Sequence, residues 1–143
     1  MHPMIPNANT QVIRRFTSEF INTASPALAA ELIAADAAFV APGMPPLRGP
    51  DGYLALLGML RGGFPDVQWT LEETVAEGEK VAARFTMRGT HTGPFMGVPP
   101  SGKSFAVTSM AIYRLSGGQI VEEHGLPDML GILQQIGAIP PPA

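Results

Sequence analysis

The apolar spacing of this chain changes period once, at Pro65, from the roughly 3.6 residues of a helix to the roughly 2 of a strand. Before that point Val12, Ile13, Phe16 and Phe20 recur at helical spacing from Gln11, with Arg14, Arg15 and Ser18 opposite. Ser25-Pro26 marks a second helix start, serine as N-cap and proline in the first turn, followed by the stripe Leu28, Leu32, Ala35. A short strand, Ala38–Ala41, runs into the breaker-rich stretch Pro42–Pro50. Asp51 then opens a third helix with Tyr53, Leu56, Leu57 and Leu60 on one face, stopped by Gly62-Gly63 and Pro65.

Beyond Pro65, Val67, Trp69 and Leu71 alternate with polar residues, and so do Val81, Ala83, Phe85 and Met87. Glu77-Gly78-Glu79 joins these two runs as a hairpin turn. Phe105–Leu115 is apolar on both parities, which predicts a strand covered on both faces. Ser116-Gly117-Gly118 turns it into Gln119–His124. A last helix, Met129–Ile136, ends at Gly137. Helices followed by an antiparallel meander predict an α+β fold: N-terminal helices on a strongly curved, mostly antiparallel sheet, enclosing a cone-shaped apolar pocket. The chain reads as one domain over 1–143, with an irregular arm at 1–10 and a proline-rich tail at 138–143.

Composition removes several function classes. Charged residues make up 15% of the 143, against about 25% in an average soluble chain. A net charge of −3, with lysine only at Lys80 and Lys103, argues against a phosphate-tracking surface, so no nucleic acid is expected as partner. The absence of cysteine removes disulfides, thiolate catalysis and cysteine-ligated metals. No apolar run approaches the ~18–20 residues of a membrane span, and MHPMIPNANT lacks the basic-then-apolar pattern of a secretory signal. A cytoplasmic protein without membrane contact is the expectation.

One string imitates a nucleotide-binding loop. Gly97-Val98-Pro99-Pro100-Ser101-Gly102-Lys103-Ser104 has the two glycines five apart followed by Lys-Ser. Such a loop cradles phosphate with successive backbone N–H groups and opens a helix. Pro99 and Pro100 lack that donor, and an alternating strand follows Ser104, so the string reads as a hairpin loop. Of His2, His91 and His124, none belongs to a metal-binding pair; Pro127 separates His124 from Asp128, and no metal site is expected. No Gly-x-Ser-x-Gly elbow supports serine hydrolase chemistry.

Beyond the first two helices, the ten acids from Asp36 onward are few enough to sort one by one. Asp36, Asp51 and Asp66 have capping or turn positions, and Glu72, Glu73, Glu77 and Glu79 decorate strand faces and a turn. Glu122, Glu123 and Asp128 remain, clustered with His124 where the last strand meets the last helix. Glu122 and His124 share one side of that strand and Glu123 takes the other. Asp128 has two readings: N-cap of the last helix, or a pocket carboxylate with a raised pKa. His91 is either a loop histidine satisfied by backbone or a pocket donor. Tyr53, Trp69, Phe95, Met96 and Tyr113 are core aromatics and a methionine, some of which line a ligand cavity.

The order of signals from Phe64 onward resembles a known family. Phe64-Pro65-Asp66, Val75-Ala76-Glu77-Gly78, Arg88-Gly89-Thr90-His91-Thr92-Gly93, Phe95-Met96-Gly97-Val98-Pro99-Pro100, Gly118-Gln119-Ile120-Val121-Glu122, Asp128 and Gln134-Gln135-Ile136-Gly137 are similar to the SnoaL-like polyketide cyclases and their ester-cyclase relatives, in the nuclear-transport-factor-2-like superfamily. That resemblance implies an α+β barrel or cone, a homodimer through the sheet, and acid–base chemistry without a cofactor in a deep apolar pocket. It also implies that an aspartate matching Asp128 removes a proton next to a carbonyl, after which the carbanion closes a ring by intramolecular aldol addition. Relatives often carry tryptophan where this chain has His124, and a polar residue where it has Ala111.

The resulting expectation is a polyketide-cyclase-like enzyme acting on an apolar small molecule. Asp128 is the base and His124 orients it or relays the proton. His91 and Tyr113 are donors to the enolate oxygen, and Tyr53, Phe95, Met96, Trp69 and Glu122 complete the substrate site. A hydrolase or dehydratase resembling limonene epoxide hydrolase, using Glu122 with Asp128, and a non-catalytic binding module are the alternatives.

Overall fold

The computed structural model describes residues 7–141. Asn7 caps the first helix, α1 (Ala8–Arg15), its Oδ1 accepting from Asn9 N–H at 2.8 Å. The helix therefore starts inside the expected arm; residues 1–6, His2 among them, lie outside the described residues. It runs on as one π-helical segment, Phe16–Ile21, which buries Phe16, Phe20 and Ile21. Ser25 caps α2 (Pro26–Leu32) as its sequence predicts, its Oγ accepting from Leu28 N–H at 3.3 Å.

β1 (Ile33–Val40) then begins with no intervening loop, earlier than the expected Ala38. Ala35 lies on this strand and not on a helix stripe, and Asp36 is an exposed strand residue and not a helix terminus. Alanine favours helix, but pairing with the last strand overrides that preference, with a register irregularity between Ile33 and Ala38. β2 (Leu47–Arg48) leads into α3 (Gly49–Gly63), whose first turn carries Pro50 and whose face Tyr53, Leu57 and Leu60 is buried. β3 (Gln68–Glu77), β4 (Lys80–Thr90), β5 (Ser104–Ser116) and β6 (Gln119–Pro127) follow as a meander, closed by α4 (Met129–Gln135). Ser104 opens β5, so the phosphate-loop-like string is part of the β4–β5 connection. Its tip is a tight turn in which Met96 (φ 48°) and Gly97 (φ 77°) are both left-handed.

Among the described residues six strands form one sheet, ordered β2-β1-β6-β5-β4-β3. β1 and β6 run parallel and every other neighbouring pair is antiparallel. The fold is the expected α+β cone, but the sheet is open and not a barrel, since β2 and β3 are its unpaired edges. One sheet face packs on α1–α3 around Phe16, Phe20, Tyr53, Val81 and Leu115. A second cluster, around Phe64, Phe95, Phe105 and Ile132, fills the end nearest α4. Among the described residues β5 is covered on one face alone: Met110 and Ile112 are each 51% exposed on the other. Among the described residues no helix is long and apolar enough to cross a membrane.

The edge strand β3 is held by a side chain. Asn22, just past the π-helical segment, accepts from Trp69 N–H at 2.9 Å and donates to Trp69 C=O at 3.0 Å. It imitates the missing neighbouring strand and fixes the backbone from which Trp69 projects. Asn22→Ala removes both bonds and leaves two backbone groups unpaired; urea denaturation is expected to show a loss of about 1–3 kcal/mol.

Candidate active site

Between α3 and the packed face of β3–β6 lies an apolar cavity of about 100 Å³. Leu56, Leu57 and Leu60 of α3 form one wall; Trp69, Phe85 and Met87 form the other. Met44, Met59 and Met129 lie around it as flexible wall residues. The volume is below the roughly 150 Å³ of an apolar cavity that holds benzene. A multi-ring ligand therefore requires some of these methionine side chains to swing aside.

Among the described residues lining the cavity there is one carboxylate, Glu123. Its position follows from an irregularity in the β5–β6 ladder. Leu115 pairs with Ile120 but Arg114 pairs with Glu122, so Val121 is an extra residue on β6. Strict alternation from the buried Ile120 would turn Glu122 and His124 inward. The extra residue reverses that parity and sends Glu123 inside, where it is only 8% exposed.

Two tyrosine hydroxyls meet this carboxylate. Tyr53 of α3 donates to Glu123 Oε1 at 3.4 Å. Tyr113 stands directly opposite on β5, and its hydroxyl is near enough to the same carboxylate to favour the ionised form. Phe16 braces both rings edge-on, with centroids 5.3 Å from Tyr53 and 5.8 Å from Tyr113. Burial pushes the Glu123 pKa up to about 7, although the two hydroxyls pull it back toward the ordinary carboxylate range. Burial first, and the neighbouring carboxylate second, hold both tyrosines well above the usual phenol range, so they act as neutral donors.

Of the residues expected at the site, Tyr53, Trp69 and Tyr113 line this cavity. The others are elsewhere. Asp128 caps α4, its Oδ1 accepting from Gly131 N–H at 2.8 Å; it is exposed, and the cavity is lined by its neighbours Pro127 and Met129 but not by Asp128. His124 lies on the outer sheet face with its side chain 57% exposed, 3.7 Å from Glu122. Glu122 shares that face, 3.6 Å from Arg114. His91 is wholly buried beside Phe64 in the second cluster, its Nδ1 accepting from Ser101 N–H at 3.1 Å. Phe95 is core in that cluster, and Met96 is 66% exposed at the turn. Glu123 is absent from the residues expected at the site because its inward direction depends on the extra residue, which alternation along the strand does not reveal. Among the described residues no group of three or more His, Asp or Glu side chains is placed to hold a metal ion.

The family model of the SnoaL-like polyketide cyclases matches residues 11–136. Aklanonic acid methyl ester cyclase DnrD of Streptomyces peucetius is 33% identical over 95 residues, 65% of this chain and 65% of that protein's own length. Among solved structures, a SnoaL-like protein from a Jannaschia species superposes with a TM-score of 0.85 at 25% identity, covering 98% of this chain and 99% of its own. IdmH of Streptomyces antibioticus superposes with a TM-score of 0.81 at 33% identity, covering 92% of this chain and 99% of its own.

The raised pKa of Glu123 makes stability depend on pH with a defined sign. Between the ordinary value near 4.5 and about 7, the folded chain holds a proton that the unfolded chain has released. Stability therefore falls as pH rises through that window, by up to about 3 kcal/mol. Glu123→Gln is expected to flatten this part of the profile and to be more stable than the parent at about pH 8, measured as melting temperature against pH. An unchanged slope in the variant contradicts the assignment.

Proposed function

As the chain belongs to the SnoaL-like polyketide cyclase family, we propose that it abstracts a proton next to a carbonyl of an apolar small molecule and closes a ring by aldol addition, with Glu123 as the base. The observation that carries this reading is a single buried carboxylate, with a pKa of about 7, between two tyrosine donors in an apolar cavity. A base with a pKa near the working pH combines a substantial ionised fraction with useful proton affinity.

The steps balance within the substrate and these side chains. The Glu123 carboxylate takes the proton from carbon, and the C–H electron pair moves onto the carbonyl oxygen as an enolate. Tyr53 and Tyr113 donate hydrogen bonds to that oxygen. The enolate carbon then adds to a second carbonyl of the same molecule. The new alkoxide takes the proton back from Glu123, so the product is an isomer of the substrate and the enzyme is restored. Apolar walls exclude the water that would quench the enolate.

This reading moves the base from Asp128 to Glu123 and leaves His124 outside the chemistry. A two-acid hydrolase or dehydratase finds less support, because Glu122 and Asp128 are both absent from the cavity lining. Aklanonic acid methyl ester, named for the relatives, is the first substrate to test. The signature is formation of an isomeric product, with loss of one deuterium to solvent when the substrate is deuterated at the reacting carbon. Glu123→Gln is expected to lower that rate by about 10²–10⁴-fold. Asp128→Asn is expected to stay within a few-fold of the parent. The opposite pattern, an inactive Asp128→Asn beside an active Glu123→Gln, returns the base to Asp128.

The proposal extends to a homodimer through the outer sheet face. Val75, Met110, Ile112 and Leu126 are 68%, 51%, 51% and 61% exposed there, a grouping of large apolar side chains larger than scattered exposure explains. The pairs Arg84–Glu73 and Arg114–Glu122 lie on the same strands and supply polar contacts around it. Ile112→Lys is expected to convert the dimer to a monomer in light scattering, and a parent that is already monomeric contradicts the proposal.

A further inference from the structure

The cavity has a second polar point that the proton chemistry leaves unused. Along the inward parity of β5, Phe105, Val107, Ala111, Tyr113 and Leu115 are buried, and Ser109 places a hydroxyl among them. Ser109 lines the cavity and is half-buried. Among the described residues its Oγ has no hydrogen-bond partner. Its neighbour across the ladder is Pro127, which has no N–H to offer. The half-buried hydroxyl therefore stands at the apolar space with its hydrogen-bonding capacity unused by the protein, free to bond an oxygen of whatever enters.

Ser109 stands four residues from Tyr113 on the same strand, about 13 Å along an extended backbone. Between them Ala111 faces Gly125 across the ladder, so no bulky side chain divides the space. A hydrogen bond of about 2.8 Å at each end leaves room for two ligand oxygens about 7 Å apart, separated by apolar atoms.

We propose that Ser109 is a specificity-determining residue that binds an oxygen substituent at the far end of an elongated, otherwise apolar ketone whose carbonyl lies at Glu123 and the two tyrosines. The inference rests on this cavity being the substrate site proposed above. It specifies the ligand as a ketone with a hydroxyl or second carbonyl at the opposite end, rather than any apolar ketone that fits.

The test uses two probes, an acetylnaphthalene and the same ketone with a hydroxyl on the ring remote from the acetyl group. Isothermal titration calorimetry with the parent protein is expected to show the hydroxylated probe binding about 3- to 10-fold more tightly. Ser109→Ala abolishes that preference without weakening the plain ketone, and Ser109→Thr, which restores a hydroxyl, retains it. A parent that shows no preference, binds neither ketone, or keeps its preference in Ser109→Ala overturns the proposal. Deuterium exchange into the acetyl methyl group, compared between parent and Glu123→Gln, reads the base separately. Preference for the hydroxyl without exchange in the parent removes the catalytic reading and leaves the Ser109 contact standing; exchange without preference does the reverse.

Discussion

Side chains of a strand alternate between faces, and the β5–β6 ladder breaks that alternation once, at Val121. The chemistry of the cavity depends on this single extra residue. Without it, Ile120 in the core would bring Glu122 and His124 inside and turn Glu123 to solvent. With it, a carboxylate enters an apolar space while Glu122 stays outside beside Arg114. The bulge thus creates the burial that raises the Glu123 pKa and gives the cavity a group able to gain and lose a proton near neutrality.

A buried carboxylate needs hydrogen-bond donors, and the helical half of the chain provides one of them. Tyr53 comes from α3 and Tyr113 from β5, so Glu123 joins the helix layer to the sheet. Phe16 braces both tyrosine rings, and Phe39 of β1 packs against Tyr53 with centroids 4.6 Å apart. Phe16 begins the π-helical segment, a local departure often found beside functional sites, and Asn22 follows its end to hold Trp69 in the opposite wall. One irregular helix therefore steadies both sides of the space in which Glu123 ionises.

The sequence made the order and type of most elements legible because those features are local. The change of period at Pro65, the capping Ser25, the Glu77–Glu79 turn and the left-handed Gly137 (φ 85°) each act within a few residues, and the structure has them where expected. β1 was only partly legible, because its alanines become strand by pairing with a segment some eighty residues later. The site was legible only as a neighbourhood. Capping, turn and strand-face positions account for the other acids from Asp36 onward and leave Glu122, Glu123 and Asp128, but the choice among them is set by a bulge that no local signal announces. Asp128 shows the complementary difficulty: an acid just before a helix serves as its cap, and matching a family pattern does not carry its carboxylate into the cavity.

The run Phe105–Leu115, apolar on both parities, connects the inner and outer faces of the sheet. Its inward set forms the cavity wall and its core beneath α1–α3; its outward set, Met110 and Ile112, is left bare by the described residues. A strand buried within one chain and a strand shared between two copies produce the same sequence pattern, since each face asks only for an apolar neighbour. The low charge content follows from the same demand. With 15% charged residues, the chain reserves apolar surface for a cavity on one side and, on the proposed reading, for a second copy on the other. Packing against that outer face would also restrain β5, the strand that carries both Tyr113 and Ser109, so association and the geometry of the cavity would share one structural element.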